Sequence, residues 1–325
     1  MSTWDVKGEA RGVARSWRDI SPALQNSVER IHAPLGRGIA WEGMEIWAYR
    51  NRAASIMEVF DRNVLQLNRG DGTFAEIAQL SGLESSDWSW TAVFLDVDLD
   101  GYEDVLIPTG HDFDTQDSDM LERLNRGRGG LGERTGSRLL EYPRLPLPNL
   151  AFHNLGNLRF EEVGREWGFD RVGVKHGICC ADLDNDGDLD VITNDLNDEA
   201  GVYRNDCIQP RVAVRLKGAG GNTRGIGAKI WLYGGAVPAQ SQEMICGGRY
   251  LSGDDSVRVF GAGSETNRMT LEVHWRSGKT SVVQGVRANR EYEVDEAGAT
   301  FRRTGTSETP NRKVDPRLAG VAIHQ

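Results

Sequence analysis

The feature that most limits the fold of this chain is an internal duplication. The stretch FLDVDLDGYEDVLI carries Asp96, Asp98, Asp100, Gly101 and Asp104, and ADLDNDGDLDVIT carries Asp182, Asp184, Asp186, Gly187 and Asp190, each 86 residues further on. The offset holds upstream without a gap. Asn63 matches Asn149, Asn68 matches Asn154, Gly70 matches Gly156, Phe74 matches Phe160 and Gly82 matches Gly168. A chain that repeats its turn residues, apolar anchors and acidic loop at one spacing uses one supersecondary unit twice. A third start follows at GVYRN, where Asn205 takes the place of Asn68 and Asn154.

Carboxylates this close repel one another unless a cation sits among them. They are hard oxygen donors of the kind Ca²⁺ gathers in a shell of about six to eight ligands. Gly101 and Gly187 permit the sharp turn that brings alternate side chains onto one centre. The expected ligands of two Ca²⁺ sites are therefore the side chains of Asp96, Asp98, Asp100 and Asp104, and of Asp182, Asp184, Asp186 and Asp190. The main-chain carbonyl of the seventh position, Tyr102 or Asp188, completes each set. The opening D-x-[DN]-x-[DN]-G also begins an EF-hand, which needs a bidentate Glu at its twelfth position. Here that position holds Ile107 or Thr193, and the flanks are short apolar or β-branched runs that read as strands. The expected unit is strand–acidic turn–strand, closed by the acid at the ninth position. The other reading is a solvated acidic turn that carries no metal.

NRGDGTF (Asn68 to Phe74), followed by the acidic loop, resembles the FG-GAP/VCBS repeats of integrin-α-type β-propellers, whose blades carry a calcium loop between neighbouring strands. Downstream, NTRGIGAKIWLYGG, QSQEMICGGRYLSGDD, VRVFGAG and LEVHWRSGK resemble the ASPIC/UnbV domain. The pairing is that of the cartilage acidic protein family, and the likeness spans residues 60–296. It implies an all-β chain: partial or small propeller-type repeats followed by a β-rich ASPIC/UnbV domain, acting as a non-enzymatic binding or adhesion module toward a protein or carbohydrate ligand.

Composition narrows the partners. A net charge of −10 argues against nucleic acid, whose phosphates need a basic face. No apolar run approaches the ~18–20 residues of a membrane span. The first residues, MSTWDVKGEARGVARSW, contain no apolar signal-peptide core. The resemblance, in contrast, implies export. An extracellular, periplasmic or cell-surface protein is expected, with this chain as the carboxy-terminal part of something longer; a cytoplasmic exception is the other possibility.

Four segments organise the chain: a polar lead-in (1–37), with a helix expected over SPALQNSVERI; the repeats (38–206); the ASPIC/UnbV domain (207–297); and a flexible tail (298–325). GIAWEGMEIWAYRNRAASIMEVF reads as a degenerate blade, or as a helix packing Met44, Trp47, Met57 and Phe60. An insertion over 113–148 holds SDMLERLNRG, with an acidic start and a glycine stop, so a short helix is expected, then a Gly/Arg loop with Arg126, Arg128, Arg134 and Arg138. In the last domain, Ile226, Ala228, Ile230 and Leu232 alternate as a strand should. Gly234-Gly235 and Arg276-Ser277-Gly278-Lys279 read as hairpin turns. Cys179, Cys180, Cys207 and Cys246 form neither a C-x-x-C motif nor a zinc set, and read as buried free thiols.

An enzyme is the competing class. His176 stands where the first copy has Trp90, and His111 follows the first loop among Asp112, Asp114, Asp117 and Asp119. A His beside carboxylates on a blade rim can do acid–base chemistry, with His111 and Asp114 the sharpest candidates. Two full repeats also fall short of the about four to eight blades of a closed propeller. The expectation is missing amino-terminal blades or self-association through unpaired sheet edges.

Overall fold

The computed structural model describes residues 41–44, 62–126, 139–298, 301–306 and 323–324. The lead-in, its expected helix, Trp47, Met57 and Phe60, and the loop arginines from Arg128 to Arg138 lie outside the described residues. Two compact units result, Met1–Ser86 and Asp87–Gln325.

In the first unit β1 (Trp41–Met44), β2 (Arg62–Asn68) and β3 (Phe74–Glu76) form an antiparallel sheet in that order. The strand β1 lies within the segment read as a degenerate blade or a helix, so a sheet is what forms at residues 41–44. A short helix, α1 (Ala78–Ser81), ends on Gly82, whose φ of 79° suits a left-handed cap.

The second unit opens with β4 (Val93–Leu95) and β5 (Asp104–Ile107), then α2 (Ser118–Arg126), the helix expected in the insertion. After β6 (Leu147–Pro148) come β7 (Leu150–Asn154) and β8 (Phe160–Glu162), which join β4 and β5 in one sheet of order β4-β5-β7-β8. Next are β9 (Val172–Gly173), which pairs β6, then β10 (Lys175–Ala181), β11 (Asp190–Asp195) and β12 (Gly201–Asn205). Each sequence repeat therefore straddles two sheets. Its first half supplies the last strands of one sheet and its second half the first strands of the next. Backbone geometry repeats with it: φ is 80° and 72° at Gly70 and Gly156, and 79° and 71° at Gly82 and Gly168. In each copy an Asn side-chain oxygen, Asn68 or Asn154, accepts the N–H of that first glycine.

The remaining strands are β13 (Arg211–Lys217), β14 (Lys229–Tyr233), β15 (Ala239–Glu243), β16 (Val257–Gly261), β17 (Met269–His274), β18 (Thr280–Val286), β19 (Arg290–Asp295), β20 (Phe301–Thr306) and β21 (Ile323–His324). Two four-stranded sheets, β16-β13-β19-β20 and β15-β14-β17-β18, enclose one core of Val212, Val214, Phe260 and Tyr292 against Ile230, Leu232, Leu271 and Val273. Val257 and Val259, with Ala213, point the other way, into the core of the blade sheets beside Val97, Leu99, Val191 and Tyr203. Near-continuous apolar runs in β13 and β16 are what a sheet buried on both faces requires. Sandwich and blades thus share a wall.

Two expectations are corrected. The strand begins at Lys229, not Ile226, because Gly225 and Gly227 take φ of 64° and 84° in a turn. Asn222 ties that turn by accepting the Ile226 N–H and donating to its carbonyl. The segment 298–325, expected to be a flexible tail, contributes two strands: β20 completes the open edge of β19, and β21 that of β12. The hairpin turns are as expected, with Gly234 N–H to Pro238 O and Gly278 N–H to Trp275 O. Among the described residues three blade-type sheets are present, fewer than the about four to eight of closed propellers. No described helix is long and apolar enough to cross a membrane.

Candidate metal centre

Both acidic loops are hairpin connections closed by equivalent pairs, Leu95 with Asp104 and Ala181 with Asp190. Their frames coincide. The fourth residue is left-handed in each (Leu99 φ 58°, Asn185 φ 62°), and the glycine that follows two residues later has φ 97° in both. That glycine donates its N–H to the first aspartate, Gly101 to Asp96 and Gly187 to Asp182. The seventh N–H goes to the fifth aspartate, Tyr102 to Asp100 and Asp188 to Asp186. The ninth aspartate accepts two main-chain bonds, Asp104 from Val97 and Asn154, Asp190 from Leu183 and Asn205. Asn154 thus serves its own glycine turn and, through its N–H, the acid that closes the loop; Asn205 serves Asp190 in the same way but accepts the Cys207 N–H.

Ligand atoms of Asp96, Asp98 and Asp100 lie within 4.8 Å of one another, as do those of Asp98, Asp104 and His153, and those of Asp182, Asp184 and Asp190. Asp186 and Asp188 turn elsewhere. Asp186 Oδ1 stands 3.3 Å, and Asp188 Oδ2 3.8 Å, from the Arg211 guanidinium, which also donates to the Asp186 carbonyl through Nε and Nη2. Arg211 opens β13, so the sandwich holds the second loop from behind. The first loop meets the sandwich at Gly261, where an added Cβ would lie 2.3 Å from the Leu99 carbonyl, and at Val237, packed on Gly101.

The donor set of the first loop fits a divalent cation. Asp96 is 6% exposed and its Oδ1 has no hydrogen-bond partner. Burial, then the carboxylates of Asp104, Asp100 and Asp98, push Asp96 up to about 8. Burial likewise raises Asp100, Asp182 and Asp190. Buried carboxylates with raised pKa values and a free oxygen are sites where a positive charge is missing. His153 supplies part of it: its Nδ1 stands 3.1 Å from Asp104 Oδ1 and 3.6 Å from Asp98 Oδ2, and the bond to Asp104 raises its pKa to about 9. In the second loop Asp188 is pushed up to about 9 by burial, against the pull of Arg211.

His153 and Arg211 were not singled out from sequence. His153 precedes Asn154, and Arg204 precedes Asn205, so the repeat alignment itself places a basic residue beside each ninth aspartate. Arg211 carries no such signal.

Of the residues of the enzymatic reading the two histidines converge, on a ring, and Asp114 does not join them. His111 and His176 pack on Trp90, with centroids 5.9 and 3.9 Å away, and Tyr250 joins at 5.0 Å. His111 Nδ1 faces the Phe113 carbonyl, whereas Asp114 accepts the Gln116 N–H. The cluster clasps first copy, second copy and sandwich loop together. Of the cysteines, Cys180 and Cys207 are buried free thiols as expected; Cys179 is half-buried and Cys246 is exposed, the latter lying in the turn after β15 rather than in a core.

Residues 46–107 match the family model of the FG-GAP-like repeat, and residues 218–301 match that of ASPIC and UnbV. The order of a repeat region followed by an UnbV region is the one the motifs predict. No curated protein matches the chain. Among solved structures, a candidate cell adhesion protein of Bacteroides ovatus is similar over 54% of this chain and 72% of its own, at 11% identity and a TM-score of 0.21. A likeness that slight bears on neither fold nor role.

Proposed function

We propose that this chain is a calcium-binding repeat protein that acts as a non-enzymatic binding module in an extracellular, periplasmic or cell-surface setting. Calcium held by Asp96, Asp98, Asp100 and Asp104, and by Asp182, Asp184 and Asp190, with the Tyr102 and Asp188 carbonyls, fixes the turns at one end of the blade sheets; Asp186, a ligand in the sequence expectation, faces Arg211 instead. A protein or carbohydrate partner then meets the ordered rim. The observation that carries this reading is the repetition of one loop frame around clustered carboxylates, one of them, Asp96, buried with an unpartnered oxygen. FG-GAP-type repeats and micromolar-to-millimolar calcium sites suit extracellular conditions.

Metal bound only to the folded state adds about 2.7 kcal/mol per site at a hundredfold excess over the dissociation constant. Melts in calcium should therefore run several degrees above melts in chelator. Identical curves would remove calcium from the account. A pull-down from a native surface fraction, with and without chelator, tests the binding role; a partner retained equally in both shows that calcium does not shape the binding face.

A further inference from the structure

The two acidic loops are not chemically equal. Beside the ninth aspartate the first loop has an imidazole, His153, and the second has a guanidinium, Arg204, which is paired at 2.7 Å with Asp206. An imidazole nitrogen can ligate a metal once the ion displaces its proton; a guanidinium cannot. His153 Nδ1, Asp104 Oδ1 and Asp98 Oδ2 form a group with separations of 3.1 and 3.6 Å from the nitrogen to the two oxygens. Metal–ligand bonds of about 2.0–2.2 Å put neighbouring donors about 3.0–3.5 Å apart in a tetrahedral or octahedral shell. The ring is held edge-on to Trp167, centroids 5.9 Å apart. Next to this group, Asp96 supplies a buried oxygen without a hydrogen-bond partner, the independent sign that something belongs there.

We propose that the first loop and His153 form a mixed oxygen–nitrogen site that binds a borderline divalent transition metal ion more tightly than Ca²⁺, whereas the second loop takes hard cations alone. The proposal rests on the reading that both loops bind cations, and refines it for one of them. Imidazole favours zinc- and cobalt-type ions, and carboxylate-only sites favour Ca²⁺ or Mg²⁺. The first loop offers both donor kinds.

Calorimetric and visible-absorption titration with Co²⁺, on protein first saturated with Ca²⁺, tests it. Co²⁺ should displace one of two bound Ca²⁺. His153→Gln should weaken Co²⁺ binding at that site on the order of tenfold or more while the calcium affinity of the second loop stays within about twofold. Equal Co²⁺ affinity in the variant, or an equal fall for Ca²⁺ and Co²⁺, overturns the proposal. Should His153→Gln fail to fold, proton NMR of the wild-type Co²⁺ form decides: a paramagnetically shifted, exchangeable imidazole N–H supports ligation, and no such signal refutes it. Two bound Ca²⁺ with no histidine-dependent Co²⁺ would sink this proposal and leave the calcium reading standing. No binding of either ion would sink both.

Discussion

Arg211→Met is the substitution whose cost the structure sets most clearly. The arginine side chain is 6% exposed and stands at the seam between β13 and the second acidic loop. Its Nε donates to the Asp186 carbonyl at 3.1 Å and its Nη1 to the Cys207 carbonyl at 3.0 Å, and Nη2 faces the carboxylates of Asp186 and Asp188. Methionine keeps the unbranched stem but removes the charge and every donor. Asp186, whose carboxylate oxygen lies 3.3 Å from Nη2, would then lose its counter-charge, and Asp188, 1% exposed, would lose the cation that opposes its upward shift. Removing one partner of a buried pair costs about 3–5 kcal/mol. At about 2–4 °C per kcal/mol for a body of this size, the melting point should fall by about 6–20 °C. Adding Asp188→Asn to the variant should recover part of the loss, giving a coupling energy above the about 0.5 kcal/mol expected of independent sites. Urea unfolding in calcium, followed by tryptophan fluorescence and circular dichroism, measures this. A loss under about 1 kcal/mol, or strictly additive single variants, would show that the seam is not held by this pair. Separate transitions for sandwich and blades would refute the shared wall.

Three further outcomes are expected. With metal removed, the melting point should fall as pH rises from about 6.5 to 9. The folded pKa of Asp96 is raised to about 8 and that of His153 to about 9. Both groups therefore contribute stability below their unfolded values that is lost as pH climbs through the folded ones. Saturating calcium should flatten this slope, since metal holds the carboxylates ionised; a chelated protein with a level pH profile would contradict the electrostatics given for the loop. Gly278→Val, at φ 87° with open space around it, should cost about 1–2 kcal/mol and leave the calcium affinity of the folded protein unchanged. Gly261→Ala, by contrast, drives a methyl onto the Leu99 carbonyl and should weaken calcium at the first loop, so equal calorimetric affinities for the two glycine variants would show that β16 does not buttress that loop.

Much of this was legible because turn residues report on local backbone. A glycine needed for a left-handed turn can be read at once: Gly70, Gly82, Gly101 and their partners 86 residues on all have positive φ, and Asn68 and Asn154 tie the first of these turns through their side chains. A short β-branched run placed β11, and alternating apolar residues β14, almost as directly, although the turn around Asn222 hid where β14 starts. Contacts distant in sequence left no such trace. Nothing near Arg211 announces that it reaches back 25 residues to Asp186, nor does the VRVF of β16 say which of its two buried faces meets the blades. The strands β20 and β21 were missed for the same reason: what orders them is an unpaired edge on β19 and β12, not their own polar composition.

The central claim, two calcium sites in one repeated frame, is met most directly by calorimetric counting of Ca²⁺ on three proteins. The wild type should bind two ions, Asp184→Ala one, and Asp98→Ala one, with the surviving site in each variant close to its wild-type affinity because the loops have separate ligand sets. A wild-type chain that binds no Ca²⁺ and melts identically in calcium and chelator would contradict the account.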